Sequence, residues 1–440
     1  MGAVRVATRP HYYANGSDAD ILSVQLPLKH SCEDNSSHHQ QPAETAQPAA
    51  SIRPWPPVCA SHTPQECERL AAAGDLILAI ESSCDETGLA IIDSHGEVIA
   101  HAVATSLDFH ARFGGVVPEI ASRKHVEAIV GVYEEVMQQA AKHLHCAALY
   151  PTDLSAVGVT AGPGLVGALV VGIAFAKGLC ATAHLAVIAV NHLEGHMLAN
   201  LYETNDLKPP FIASLVSGGN TLLVHVKAWG HYEILGATID DAVGEAFDKV
   251  SKALGLGYPG GPIISKLAAK GNKHAISFPR AMMYSHDYRF SLSGLKTAVI
   301  TYIERENKAG RPINLPDLAA SFEQAIIDVQ VSKALCALEE TGAREFCVGG
   351  GVAANTELRN AYIEEFTKRG IRVTVPPMVV CGDNGAMIAL VALRNWRAGI
   401  LSDFTLDANP NSKFGDWSCA AEPVVSPNWP PKRFPHGAHA

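Results

Sequence analysis

One strand-turn pattern occurs twice in this chain. From Leu76 it runs LILAIESS, a polar turn at Cys84-Asp85-Glu86, TGLAIID, a Ser94-His95-Gly96 turn and EVIAHAVAT; from Phe211 it runs FIASLVSGG, NTLLVHVKA and HYEILGAT. β-Branched and other apolar residues bounded by Gly, Asn, Asp and Ser read as strand, turn, strand, turn, strand. Two such meanders, each with a polar or glycine-rich first turn, predict an internally duplicated fold with a ligand between its halves.

Helical spacing follows each meander. Residues 125–141 carry Val126, Ile129, Val130, Tyr133 and Met137, and residues 241–254 carry Ala242, Ala246, Val250 and Leu254. SAVGVTAGPG leads into a glycine-punctuated helix, EFCVGGGVAANTELRNAYIEEF reads as strand, glycine turn and helix, and IRVTVPP is a short strand. Strands alternating with helices predict a layered α/β protein. The expected division is a low-complexity extension over 1–72, a first lobe over 73–205, a second over 206–374, a return segment carrying Asp383 over 375–405 and a tail over 406–440.

The extension is set apart by its His, Gln, Pro and Ala content and lack of apolar periodicity, as a disordered or processed segment. Arg5 and Arg9 precede any acid, as in an organelle transit peptide, but Asp18, Asp20, Glu33 and Asp34 follow without an Arg-rich amphipathic helix. A misplaced start codon accounts for the segment equally well. The tail, with its Pro and Trp, is expected to drape the surface.

At 440 residues and 48% hydrophobic residues the chain can bury more than one core. Its most apolar stretch, 164–180, is broken by glycines and carries Lys177, so no membrane insertion is expected. A formal net charge of −10 excludes binding of nucleic acid through bulk charge and leaves a local groove or a partner to hold RNA. Ten cysteines without a C-x-x-C pair predict a reducing compartment and mostly buried thiols, Cys84 and Cys381 among them.

Three short stretches carry the chemistry. His192 and His196 in NHLEGHM share a helix face, and with Asp383 of CGDNGAM they make a three-ligand metal site; the alternative is two half-exposed histidines. Leu193 stands where a zincin has its glutamate, and Glu194 comes one position late, which disfavours a metalloprotease. The turn Ser217-Gly218-Gly219 is either an anion cradle or a plain hairpin turn. Gly349-Gly350-Gly351 between strand and helix lets a flat ligand approach the backbone and offers it Asn355, yet fits neither a P-loop nor a Rossmann fingerprint. Asp85 and Glu86 on the first turn are candidate proton acceptors or solvated turn acids. Asp248 is a candidate for ribose hydroxyls or a solvated helix face. The loop Gly257-Tyr258-Pro259-Gly260-Gly261-Pro262 reads as a ligand edge or a rigid turn.

Taken in order, AIESSCDETG, HARFGGVVPEIASRKH, VTAGPGLVGALVVG, NHLEGHM, SLVSGGNT, DDAVGEAFDKVSKALGLGYPGGP, FSLSGLKT, GGGVAAN and CGDNGAM closely resemble the TsaD family of tRNA adenosine threonylcarbamoyltransferases, bacterial or mitochondrial type, over about 76–400. The resemblance implies a duplicated actin-like, hexokinase-like, Hsp70-like ATPase fold. It implies one divalent ion per subunit, iron with zinc also seen, on His192, His196 and Asp383. Leu215, Val216, Ser217, Gly218, Gly219, Asp248, Gly261 and Asn355 would bind threonylcarbamoyl-AMP. The reaction would pass the threonylcarbamoyl group to the exocyclic amine of the adenosine 3′ of the anticodon in tRNAs reading codons that start with A, releasing AMP. Asp85 or Glu86 is the candidate base, and Arg123, Lys124 and Lys296 are candidate RNA phosphate contacts. Partners implied are the tRNA anticodon loop, a TsaB-like paralogue and a TsaE-like ATPase in a bacterium, or a homodimer in an organelle. The location implied is cytoplasmic, or a mitochondrion or plastid if the extension is a transit peptide. The competing classes are a metal-dependent glycoprotein endopeptidase and a non-catalytic nucleotide-binding scaffold.

Overall fold

The computed structural model describes residues 4–9, 19–23, 62–285 and 287–426. Residues 1–52 form their own unit, in which β1 (Val4–Arg9) pairs antiparallel with β2 (Ala19–Ser23). The rest of the expected extension up to residue 61, and the tail beyond 426, lie outside the described residues.

Residues 53–440 form the second unit, which opens on α1 (Pro64–Ala73). Thr63 Oγ1 accepts from Glu66 N and Glu66 Oε2 accepts from Thr63 N, a reciprocal cap on the T-x-x-E signal. Leu70 and Ala73 are buried. The extension expected to reach residue 72 therefore gives way to folded structure at Thr63, where this cap and the two buried apolar residues define the start.

Lobe I contains β3 (Ile77–Glu81), β4 (Glu86–Ile92), β5 (Val98–Thr105), α2 (Leu107–Ala111), α3 (Pro118–His143), β6 (Ala156–Gly162), α4 (Val166–Ala183) and β7 (Ala186–Asn191), followed by α5 (His192–Leu198). Lobe II contains β8 (Phe211–Val216), β9 (Thr221–Ala228), β10 (His231–Ala237), α6 (Val243–Ala253), α7 (Gly260–Ala268), α8 (Ser293–Lys308), α9 (Leu315–Thr341), β11 (Glu345–Gly349), α10 (Thr356–Thr367) and β12 (Arg372–Thr374). The chain then returns as α11 (Gly385–Arg397). The sheets run β5-β4-β3-β6-β7 and β10-β9-β8-β11-β12. In both, an antiparallel meander continues into two parallel strands. The mixed α/β class and the repeated meander are thus present, with the same strand order in each lobe.

The core has three parts. α3 and α4 bury Ile129, Val136, Leu169 and Ile173 against one face of the lobe I sheet. α6 to α10 cover one face of the lobe II sheet around Phe247, Phe322 and Phe346. Between the sheets lie α5 and α11, whose Leu193, Met197, Met387 and Ile388 join Ile77, Phe211 and Leu215 in one cluster. Residues from Gly385 to Asn395 are all buried, so α11 has no solvated face. The parallel strands β3, β6 and β7 end at one edge of the lobe I sheet, the usual place for a site in such a sheet.

Two helices of lobe I carry apolar residues on both buried and exposed faces. On α3, Ile129 and Met137 are buried, whereas Val126 and Val130 are 61% and 52% exposed. α4 is long and apolar enough by composition to cross a membrane, but its Ala168, Leu169, Gly172, Ile173, Ala176 and Cys180 pack into the lobe I core. Val166 and Val170 on its other face are exposed. The lobe core uses only half of these helices' apolar surface.

Candidate active site and metal centre

β7 hands its last residue directly to α5. Asn191 Oδ1 accepts from Leu193 N (3.1 Å) and Glu194 N (3.3 Å), capping the helix as it starts. His192 and His196 then stand one turn apart on one face, ring centroids 4.6 Å apart and edge-on. Asp383 comes from the loop before α11, which Asn384 caps through Met387 N (3.0 Å). Gly385 passes so close to β4 that a Cβ there would lie 2.4 Å from the Leu89 carbonyl carbon. Asp383 Oδ1 ends 3.1 Å from His196 Nε2 and 3.6 Å from His192 Nε2. The three residues offer ligand atoms within 4.8 Å of one another.

This donor set fits a divalent ion. His192 Nδ1 is committed to Glu81 Oε2 and Ser83 Oγ, each at 3.1 Å, which leaves Nε2 facing the cluster. Glu81 is fully buried and is itself held by Thr160 Oγ1 (2.6 Å) and Ser83 N (2.6 Å). A carboxylate behind a ligating imidazole fixes its tautomer and raises its basicity. Burial opposes charge on His192, but Glu81 and Asp383 outweigh it and raise its pKa to about 9. Burial likewise opposes charge on Asp383, but His192 and His196 hold its carboxyl below the usual range. The pocket is thus electrostatically built around a positive charge beside Nε2.

Asp85 and Glu86, on the β3–β4 turn, form a second acidic group with Asp383, again with ligand atoms within 4.8 Å. Burial, then Asp85 and Asp383, push the Glu86 carboxyl well above the usual range. Asp85 is anchored through its carbonyl, which accepts from Ser106 Oγ (2.7 Å) and N (3.2 Å).

The glycine turn stands across from these groups. Ser217 N donates to Asn220 O (2.8 Å) and Ser217 Oγ accepts from Asn220 N (3.1 Å), leaving Gly218 and Gly219 exposed at the tip. Gly350, at φ +91°, lies where a Cβ would meet Val216 O at 2.4 Å, and a Cβ on Gly244 would come 2.8 Å from Gly218 Cα. The start of α6 and the end of β11 therefore press against this turn. Gly349 abuts the His196 carbonyl, its Cβ position 2.6 Å away, so the triple glycine also backs the metal helix. Leu215 and Val216 are buried in β8.

Other expected ligand contacts are engaged within lobe II. Asp248 Oδ1 accepts from Gly260 N (2.7 Å) at the start of α7, beside Gly261. Asn355 Oδ1 caps α10 through Leu358 N (2.9 Å), and its amide donates to Glu323 Oε1 (2.7 Å) and Ser265 Oγ (2.9 Å). Two expected RNA contacts are already paired: Lys296 with Asp241 (2.8 Å) and Lys124 with Glu127 (2.6 Å). Arg123 is exposed.

Sequence reasoning missed Glu81, Ser83 and Thr160. Glu81 had a readable signal, since it is the one charged residue in the strand ILAIE, which pairs on both sides. Tyr258, in the expected ligand-edge loop between α6 and α7, is half-buried, and burial followed by the charges of Asp85 and Asp248 raises its hydroxyl pKa. One side chain therefore senses acids from both lobes.

The model of the family TsaD, described as tRNA N6-adenosine threonylcarbamoyltransferase, matches residues 97–390. The chain belongs to the TsaD family. That match takes in His192, His196, Asp383 and the glycine turn. The tRNA N6-adenosine threonylcarbamoyltransferase of Clostridium beijerinckii is 47% identical over 341 residues, covering 78% of this chain and 98% of its own. The protein of the same name from Clostridioides difficile is 48% identical over 338 residues, covering 77% and 98%. Among solved structures, full-length HypF in its phosphate- and nucleotide-bound form aligns with a TM-score of 0.48 at 14% identity, over 74% of this chain and 46% of the longer HypF chain.

Proposed function

We propose that this chain transfers a threonylcarbamoyl group from threonylcarbamoyl-AMP to the exocyclic amine of the adenosine 3′ of the anticodon, in tRNAs reading codons that start with A. The observation that carries the reading is the pairing of the His192–His196–Asp383 cluster with the Asp85–Glu86 acids, in a chain of the TsaD family. The repeated lobes with one strand order support an actin-like, hexokinase-like, Hsp70-like ATPase fold.

A divalent ion, iron or zinc, held by His192, His196 and Asp383 would supply Lewis-acid polarisation of the substrate. Leu215, Val216, Ser217, Gly218 and Gly219 receive the adenylate phosphate at their turn, with Asp248, Gly261 and Asn355 lining the nucleoside side. For Asn355 this means sharing an amide now given to Glu323 and Ser265. The amine nitrogen bonds to the carbamoyl carbon, the bond from that carbon to the phosphate oxygen breaks, and AMP departs. Asp85 takes the amine proton, with Glu86, whose carboxyl is pushed upward by burial and by Asp85 and Asp383, beside it. The adenosine reaches the site unstacked, as loop nucleotides allow.

The exposed valines of α3 and α4 support docking of a TsaB-like paralogue, or of a second copy in a homodimer, on lobe I. A TsaE-like ATPase completes the proposed bacterial set. Cys180, Cys347 and Cys381, buried and not in disulfides, fit a reducing compartment, for which we take the cytoplasm. The endopeptidase alternative lacks support because Glu194, the nearest acid on α5, is bound to Arg394 and turned away from the cluster's ligand atoms.

Release of AMP from threonylcarbamoyl-AMP tests this reading. It is expected to accelerate on adding unmodified tRNA and to stay at the background rate with tRNA already carrying the modification; equal release with both would reject it.

A further inference from the structure

The short helix α2 and the start of α3 form an exposed surface that the assigned site does not use. Phe113 is 57% exposed and Phe109 40%, on a segment one helical turn long. Lys124 Nζ lies 3.7 Å from the Phe109 ring centroid and the Arg112 guanidinium carbon 5.4 Å. Arg112 and Arg123 are exposed, as is Lys252 of α6, whose Cε would lie 3.3 Å from a Cβ on Gly114. Asp108 and Glu119 are the only acids between residues 107 and 125, and Glu127 partners Lys124. In a chain of net charge −10, this is a local reversal of sign around two aromatic faces.

The surface is tied to the site by short links. Ser106, which precedes α2, donates twice to the Asp85 carbonyl. On α3, His125 sits 2.8 Å from Thr87 Oγ1 and 3.1 Å from the Cys84 carbonyl. The β3–β4 turn that carries the acids therefore also fixes where Phe109 and Lys124 stand, and the approach of Lys252 puts the loop at the junction of the two lobes.

We propose that Phe109, Phe113, Arg112, Arg123, Lys124 and Lys252 form a platform for the unpaired nucleotides of the tRNA anticodon loop, the rings stacking on bases beside the reactive adenosine and the cations taking their phosphates. The proposal rests on the transferase reading above and names the surface that would hold its RNA. An adenosine drawn into a buried site loses its neighbours' stacking, and exposed aromatic faces replace it irrespective of sequence. The cations supply phosphate contacts in a chain of net charge −10. Lys124 covers one Phe109 face, so a base stacking there displaces it toward the backbone phosphate.

Fluorescence anisotropy of a labelled, unmodified tRNA anticodon stem-loop titrated with the full chain tests this. The Phe109→Ala/Phe113→Ala variant is expected to bind about tenfold or more weakly, from stacking worth ~1–3 kcal/mol per base. Phe109→Tyr/Phe113→Tyr is expected to bind as wild type, and all three proteins to melt alike and bind threonylcarbamoyl-AMP alike. Arg112→Ala is expected to lower the salt dependence of binding by about one phosphate contact. If wild type holds the stem-loop and the alanine pair holds it equally, the platform is overturned and the rings are a protein-docking surface. If wild type does not hold it, the platform is overturned, and tRNA-stimulated release of AMP from threonylcarbamoyl-AMP then decides whether the transferase reading stands or falls with it.

Discussion

Glu194, midway between the two histidines of α5, carries its carboxylate 2.8 Å from the Arg394 guanidinium, and both side chains are 0% exposed. Tyr232 Oη of lobe II (2.5 Å) and Ser418 Oγ of the C-terminal segment (2.6 Å) donate to the same Glu194 oxygen, and Arg394 donates on to Ser418 and the Cys419 carbonyl. Asn191, the cap of α5, donates to Lys413 O (2.8 Å), and Asn395 donates to Trp417 O (2.9 Å). The segment expected to drape the surface is thus threaded through the polar lock that positions the metal helix, because a buried carboxylate and guanidinium need more partners than each other.

Removing one member of this pair leaves the other charged and buried. Arg394→Met is expected to cost roughly 3–5 kcal/mol in urea unfolding. The double variant with Glu194→Gln is expected to recover part of that loss, the signature of direct coupling. Two additive losses would contradict the arrangement.

Metal affinity depends on the residues behind the ligands as well. His192→Ala and His196→Ala are each expected to abolish stoichiometric metal in protein purified and dialysed against the ion. Glu81→Gln keeps the hydrogen bond but weakens the pull on His192, and a chelator competition is expected to show about 10–100-fold weaker binding. Unchanged affinity would mean that His192 Nε2 is not a ligand.

The raised pKa of His192 sets a direction with pH. Below about 9 the metal-free imidazole holds a proton that an incoming ion must displace. Apparent affinity is therefore expected to rise from pH 6 through 8 and to level off near pH 9, with proton release on binding seen in weakly buffered solution. Affinity flat across that range would contradict a protonated His192.

Burial, then the charges of Asp85 and Asp383, raise the Glu86 carboxyl well above the usual range, which favours Asp85 as the proposed proton acceptor. Asp85→Asn is expected to slow single-turnover transfer about 10²–10⁴-fold with threonylcarbamoyl-AMP binding retained. Glu86→Gln is expected to lose far less. The reverse order would assign the base to Glu86.

What the sequence disclosed follows from how locally each feature is encoded. The meanders were legible because apolar runs such as FIASLV are bounded by turn residues, and the histidine pair because i and i+4 share a helix face. Glu81, Thr160 and Ser83 were not, since their role exists only after β3, β6 and β7 align. The α3 spacing disclosed the helix but not its buried face, because Val126 and Val130 obey helical spacing yet face outward. Asn355 follows a glycine run that suits a ligand, while its helix-capping bond is equally local and holds it inside lobe II.

The central claim is the transfer itself. Wild-type protein and the His192→Ala/His196→Ala variant, each incubated with threonylcarbamoyl-AMP and an unmodified tRNA bearing adenosine 3′ of its anticodon, are digested to nucleosides and weighed by mass spectrometry. The account predicts threonylcarbamoyl-adenosine from wild type alone. No modified nucleoside from wild type supplied with metal and the proposed partner subunits, or equal amounts from both proteins, would contradict it.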